Sequence, residues 1–311
     1  METVGSHGSI DILDSFRRRL GFNTASLPNR SLDEALACGK QMGFATVELL
    51  AFAGYRHTAG DLAGHYFDRM PPDEMAELRE MIVRFKHVAV HAPFWEIAHF
   101  SPNPVIREAS RRQTEATLEV AGEIGARTVT THVQPRPGFE FREYRDEVID
   151  FYRHLGEVGH EAGLTVTIET GFPTEIEEFA SLIHDIDHDW VGANVDVGHL
   201  RGLLTDAQRR PEAIDEAYNS LLREHLRSLE DRVYHIHLHD VHAEGLRDHR
   251  ECGTGIVDYA ALLALLLQQG YEGLMTFELE ETDAEGALRR SHENILAAIR
   301  EVARRDLSSR H

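Results

Sequence analysis

Eight short apolar runs, each followed by a segment with helix-start signals, constrain this chain more than any other feature. They are Leu20–Ser26, Thr46–Ala51, His87–His91, Thr128–Val133, Thr165–Thr170, Val191–Val197, Val233–Asp240 and Leu274–Glu280. Strand-length runs that alternate with helices mark repeated βα units rather than a sandwich or a helix bundle. Eight such units predict a single closed (β/α)8 TIM barrel, an α/β fold. Local signals agree. Ser31-Leu32-Asp33-Glu34 and Thr174-Glu175-Ile176-Glu177 read as capping boxes, and Pro71-Pro72-Asp73-Glu74 puts proline and acids into a first helical turn. Gly43, Gly125, Gly163 and Gly270 each stand just before the next strand, where a helix ends in the left-handed conformation. Residues 20–300 contain no linker-like composition break, so the expected organisation is a loosely attached extension over 1–15 and one barrel domain over 16–311.

Composition narrows the function classes. The 311 residues carry 53 acidic against 32 basic side chains, a formal charge of −21, which opposes a polyanionic partner such as nucleic acid. Two cysteines, Cys38 and Cys252, supply neither a disulfide framework nor a compact zinc motif. No apolar stretch approaches the roughly 18 residues of a bilayer span, and no secretory h-region is evident, so a cytoplasmic protein without membrane attachment is expected. The only lysines are Lys40 and Lys86, neither at the end of a predicted strand, which leaves a Schiff-base mechanism without a nucleophile. The sequence leaves open assembly into a homo-oligomer. Histidine, by contrast, occurs 20 times and crowds the apolar runs.

Strand parity sorts those histidines. Val166 and Ile168 share one face while Thr165, Thr167 and Glu169 share the other; Tyr234, Ile236 and Leu238 alternate with His235, His237 and His239. Thr128, Thr130 and His132 fall inward in the fourth run, and Thr276, Glu278 and Glu280 in the eighth. The barrel interior therefore ends in ionisable groups at the C-terminal side of its strands, which is the active-site face of this fold. The strand-end set is Glu48, His91, His132, Glu169, Asp196 with His199, His237 and Glu278. Buried ionisable groups need partners, and a cation pairs with several at once. Glu169, Asp196, His237 and Glu278 come from four neighbouring strands and are read as the ligands of one divalent metal, Mn²⁺, Zn²⁺, Co²⁺ or Mg²⁺. Glu48 reads equally as a substrate contact or as the partner of an arginine, and Trp95 either stacks on a sugar ring or packs in the core. His235 reads as structural, His239, Asp240 and His242 as loop or supporting groups, and His154, His160, His184, His188 and His225 as solvated helix residues. Cys252 lacks a base to activate it, and Gly253-Thr254-Gly255 lacks the lysine and spacing of a phosphate loop.

In order, His91-Ala92-Pro93-Phe94, Thr131-His132-Val133, Ile168-Glu169-Thr170, Asp196-Val197-Gly198-His199, His237-Leu238-His239-Asp240, Gly253-Thr254-Gly255 and Phe277-Glu278-Leu279 resemble the xylose isomerase-like barrel superfamily over residues 20–300. That superfamily includes sugar phosphate isomerases and epimerases and the endonuclease IV branch. The resemblance implies metal ligation by Glu169, Asp196, His237 and Glu278, proton transfer by Glu169 and Glu278, and substrate contact by His199, with His91 as a further hydroxyl-orienting group. The expected reaction is isomerisation or epimerisation of a small sugar or keto-polyol through an enediolate, with dehydration from the same enolate as the alternative. Ala243 stands where ketose 3-epimerases place a substrate-binding arginine. The endonuclease IV branch, which acts on abasic DNA with zinc, implies further donors at His91, His132, His199 and His249. Arg247 replaces the aspartate of its loop-seven pair, so the expectation is a second metal at most and no complete trinuclear site.

Overall fold

The computed structural model describes residues 5–309, with side chains over 12–305. Eight parallel strands close into a barrel: β1 (Leu20–Asn23), β2 (Thr46–Leu50), β3 (His87–His91), β4 (Thr128–Thr131), β5 (Thr165–Glu169), β6 (Val191–Asp196), β7 (Val233–Leu238) and β8 (Leu274–Phe277). The ladder runs β1-β8-β7-β6-β5-β4-β3-β2, and β2 closes on β1. Helices α2 (Leu32–Gln41), α3 (Pro72–Ile82), α4 (Pro104–Glu123), α5 (Arg145–Ala162), α6 (Ile176–Ile186), α7 (Ile214–Ser228), α8 (Tyr259–Gln268) and α9 (Ala284–Ser309) follow the strands one by one. Among the described residues no helix is long and apolar enough to cross a membrane. Ser31 caps α2 in a complete box with Glu34, as its spacing predicts. Thr174 does not cap α6, whose first residue follows Glu175 instead. Gly163 ends α5 at φ 73°, a conformation that costs a side-chain-bearing residue but not glycine.

Outward residues of the strands, such as Val47, Val90, Val129, Val166, Ile168, Ile236 and Phe277, are buried against the helices. Inward residues are polar and equally buried, among them Asn23, Glu48, Thr130, Asn194, His235, His237 and Thr276. Seven of the apolar runs outlast their strands. Thr24–Ser26 turn into a 3-10 helix, and His132, Thr170, Val197, His239 and Glu278 lie beyond the last ladder residue. Chain past the final ladder bond is free to splay, so these residues line the mouth of the barrel.

A boundary at residues 15 and 16 falls inside a single helix, α1 (Gly5–Arg19), which lies against α9. Phe16 is buried, Ile12 and Leu13 pack on the core, and the Arg19 guanidinium donates to the Tyr271 carbonyl at 2.6 Å. Residues 12–15 are thus tied to the barrel rather than loosely attached. His225 departs from the expected solvated state: it is 1% exposed, with Nε2 3.0 Å from Thr170 Oγ1. His188 stands in the loop before β6 and is half-buried.

Burial pushes the His225 imidazole down to about 4 and that of His99 down to about 3. An unfolded chain takes up these protons near 6.5, whereas the native protein refuses them, so the stability that each neutral histidine maintains above that pH declines as the pH falls below it. Each contributes a slope of about 1.4 kcal/mol per pH unit. Urea midpoints measured from pH 7 to pH 5 should therefore fall less steeply for His225→Gln than for the wild type, by about that slope. Parallel pH profiles for the two proteins would contradict a neutral buried His225.

Candidate metal centre and active site

Four neighbouring strands, β5 to β8, bring Glu169, Asp196, His237 and Glu278 together. One ligand atom from each lies within 4.8 Å of all the others. Glu169 and Asp196 are the last residues of their strands, Glu278 follows β8 directly, and His237 is paired in register with both Asp196 and Thr276. His237 Nδ1 stands 2.7 Å from Glu278 Oε2, 3.3 Å from Glu169 Oε2 and 3.7 Å from Asp196 Oδ2. The buried nitrogen makes no well-formed hydrogen bond to any of the three, although all three carboxylates crowd it.

The other side of the same ring explains why. His237 Nε2 is 3.0 Å from Glu48 Oε2, and a carboxylate only accepts, so the Nε2 proton points toward Glu48. That leaves the Nδ1 lone pair facing three carboxylates, an arrangement that requires a proton or a cation between them. Three hard oxygen donors and one imidazole suit a divalent metal ion. Glu48 is itself fixed by Thr276 Oγ1 at 2.7 Å, Thr130 Oγ1 at 3.0 Å and Asn23 Nδ2 at 3.2 Å. It has no exposed surface, so the expected substrate contact is replaced by a role beneath the donors, orienting His237.

The electrostatics follow from this packing. Burial alone would raise every carboxyl here, but adjacent imidazoles reverse the sign. His237 and His235 hold Glu48 well below the usual range, His132 and His237 do so for Glu169, His199 and His239 for Asp196, and His237 for Glu278. Burial would lower His237, yet Glu48, Glu278 and Glu169 raise it well above its ordinary value.

Donors extend to both sides of this cluster. His91 Nε2 and His132 Nε2 lie 3.3 and 3.4 Å from Glu169 Oε2 and form a group of potential ligands with it. On the opposite side His199, Asp248 and His249 form another. The four residues expected to share a second metal, His91, His132, His199 and His249, therefore divide between two groups rather than converging on one. The Arg247 replacement also does not leave loop seven without a carboxylate: Asp248 Oδ2 is 3.4 Å from His249 Nδ1, where it is ion-paired to Arg201. Asp248 is not marked in the sequence, because it lies one residue from the position where the resemblance places an aspartate. His239, expected as a loop or supporting group, stands with Nε2 2.8 Å from Asp196 Oδ1 and its ring stacked on His249 at 4.2 Å. The signal was present in the alternation His235, His237, His239. Asp240 is a loop clamp, accepting from the backbone of Val241, Gly253 and Val257.

A cavity of about 180 Å³ opens over these groups. His91, His132, Glu169, His199, His249 and Glu278 form its polar wall, and Phe52, Phe94 and Trp95 its aromatic wall. Trp95 meets both expectations, since it lines the cavity and packs against Phe94 at 4.7 Å and Tyr55 at 4.8 Å. Phe94, which closes the His91-Ala92-Pro93-Phe94 motif, and Glu280, inward by parity, also line it, as do Phe52 and His57, which nothing in their local sequence marks. A larger groove of about 790 Å³ between Arg30–Asp33 and α3 holds none of the donor clusters, so size alone does not locate the chemistry.

The fold and the ionisable groups gathered at its C-terminal mouth can be set beside those of known proteins. A profile of the xylose isomerase-like TIM barrel family matches residues 36–301, and the chain belongs to that family. It is 26% identical over 239 residues to an uncharacterized protein of Methanocaldococcus jannaschii, covering 76% of this chain and 82% of that one. It is 24% identical over 189 residues to an inosose dehydratase of Erwinia tasmaniensis, covering 55% and 57%. The fold is shared with a D-tagatose 3-epimerase-like protein (TM-score 0.71, 20% identity, 93% of this chain and 99% of the other). It is shared also with a xylose isomerase-like barrel from Mycobacterium smegmatis in complex with magnesium (TM-score 0.69, 17% identity, 92% and 97%).

If Glu48 orients His237, Glu48→Gln should weaken binding of a divalent ion by about 10- to 100-fold while leaving the fold intact. Titration with Mn²⁺, followed alongside circular dichroism, checks this; unchanged affinity would contradict it.

Proposed function

We propose that this protein is a divalent-metal-dependent isomerase or epimerase of a small, unphosphorylated sugar or keto-polyol. The observation that carries the reading is the placement of Glu169 and Glu278, two ionised carboxylates that belong to the four-donor cluster and also face the cavity. Mn²⁺, Co²⁺, Zn²⁺ or Mg²⁺ held by Glu169, Asp196, His237 and Glu278 would acidify the C–H beside a bound carbonyl and stabilise the enediolate. Glu169 and Glu278 begin as bases, and one removes a proton that it or the other returns to a different face or atom. His199 Nδ1 donates to the Thr170 carbonyl at 2.7 Å, which leaves Nε2 to orient a substrate hydroxyl. Trp95 and Phe94 supply an apolar wall for the face of a sugar ring. Among the described residues neither arginine nor lysine lines the cavity, which favours a neutral polyhydroxy compound over a phosphorylated one. The volume, below the roughly 300 Å³ at which drug-sized pockets begin, favours a small one.

Incubation of the Mn²⁺-loaded protein with a panel of ketoses and keto-inositols in D₂O tests the reading. The expected result is an isomer carrying solvent deuterium at the exchanged carbon, with turnover reduced about 10²- to 10⁴-fold in Glu169→Gln and in Glu278→Gln. A product lighter by one water would move the assignment to a dehydratase, as the name of the Erwinia tasmaniensis relative suggests. Full turnover in both variants would refute proton transfer by these residues.

A second reading, a multinuclear zinc phosphodiesterase acting on abasic DNA, draws on the flanking donors. His91 Nδ1 is 2.9 Å from the Ala92 carbonyl and donates to it, so its Nε2 lone pair faces Glu169 and His132 as a ligand would. The basic surface it needs is not at this mouth: Arg17–Arg19 precede β1 at the opposite face, and Arg111 is paired to Glu147. Metal content by elemental mass spectrometry separates the two. About one ion per chain, unchanged in His91→Ala, is expected for the sugar isomerase; two or more zinc ions, one lost in His91→Ala, would favour the hydrolase.

A further inference from the structure

At the N-terminal mouth of the barrel, opposite the donor cluster, lies a cavity of about 390 Å³ whose wall is dominated by cationic side chains. Arg18, Arg19, Lys86 and Arg127 line it, with the imidazole of His87 among them, against two carboxylates, Asp14 and Glu272. The topology gathers them: Arg19 immediately precedes β1, Lys86 precedes β3 and Arg127 precedes β4, and all parallel strands begin on this face. In a chain with a formal charge of −21, such a concentration runs against the composition.

Two of these groups are committed to holding the wall. The Arg19 guanidinium donates to the carbonyls of Tyr271 and Gly273, and Arg127 Nη2 donates to the Glu272 carbonyl at 2.8 Å. Arg18 and Lys86 are exposed, and among the described residues neither they nor Arg127 has a carboxylate within ion-pair distance. After burial, the charges of Arg127, Lys86 and Arg19 are what lower the proton affinity of His87, which marks a net positive field. The negative end of the α1 dipole accounts for arginine in its last turn, but not for Lys86, His87 and Arg127 arriving from two other strands. Guanidinium and ammonium donors that converge without being ion-paired, and that outnumber the carboxylates beside them, recognise phosphate oxygens.

We propose that this cavity binds a phosphate-bearing, multivalent small anion through Arg18 and Lys86, with the wall-fixed Arg19 and Arg127 adding positive charge, at the end of the barrel remote from the sugar site. The test is calorimetric titration of the metal-loaded full chain with sodium pyrophosphate at low ionic strength, comparing wild type with the double variant Arg18→Ser/Lys86→Ser. Pyrophosphate taken up at the metal centre is common to both proteins and cancels in the comparison. The expected result is saturable binding in the wild type that weakens as NaCl is added and is at least tenfold weaker in the variant. Sugar turnover should be unchanged. Should the double variant fail to fold, the single variants Arg18→Ser and Lys86→Ser should each weaken binding several-fold. Identical isotherms for wild type and variants, or no binding to the wild type at millimolar pyrophosphate, would overturn the proposal.

Discussion

Three carboxylates, those of Glu48, Glu169 and Asp196, are withdrawn from water at one end of a single barrel, and a fourth, that of Glu278, is half-buried beside them. Burying so much like charge is unfavourable unless positive charge is buried with it, and the rest of the site can be understood as the means of supplying it. His237 stands at the centre. One nitrogen faces Glu48, the other faces the remaining three carboxylates, and strands β5 to β8 converge on it because a parallel barrel delivers all its strand ends to the same mouth. The carboxylates raise the proton affinity of His237, His91 and His249, which brings positive charge to the cluster, and a dication held there would supply it in their place.

This arrangement separates positioning from chemistry. Glu48, with Asn23, Thr130 and Thr276, forms a buried polar layer that holds one ring in one orientation. Glu169 and Glu278 sit one layer higher, where they are shared between the donor cluster and the cavity. The aromatic wall of Phe52, Phe94 and Trp95 closes the opposite side and limits what can lie over the carboxylates. On the proposed reading, substrate selection would rest with the loops after β2 and β3, and the reaction chemistry with the strands β5 to β8.

Much of this was legible in the sequence because it follows from periodicity. Eight apolar runs and their helix signals dictate the barrel, and parity along β5 and β7 points Glu169 and His237 inward without any tertiary information. Parity could not decide how far inward a residue lies. Glu48 and Glu169 both end polar alternations, yet Glu48 lies a layer deeper, in a register fixed only by pairing with β1 and β3. Loop geometry was also beyond reach: a short antiparallel ribbon, Asp240–His242 with Arg247–Arg250, whose turn includes Gly245 at positive φ, folds Asp248 and His249 back onto His199 and His239. His225 looked solvated because its helix carries charge on either side, but it faces Thr170 across α7 and the end of β5.

The central claim is that Glu169, Asp196, His237 and Glu278 hold one divalent cation. Anomalous diffraction at the manganese or zinc edge, from crystals grown with that ion, tests it most directly. A peak about 2.0–2.2 Å from one atom of each of the four residues is expected. A metal peak found elsewhere in the mouth, bound to His91 and His132 or to His199 and His249 but leaving His237 Nδ1 unligated, would contradict it.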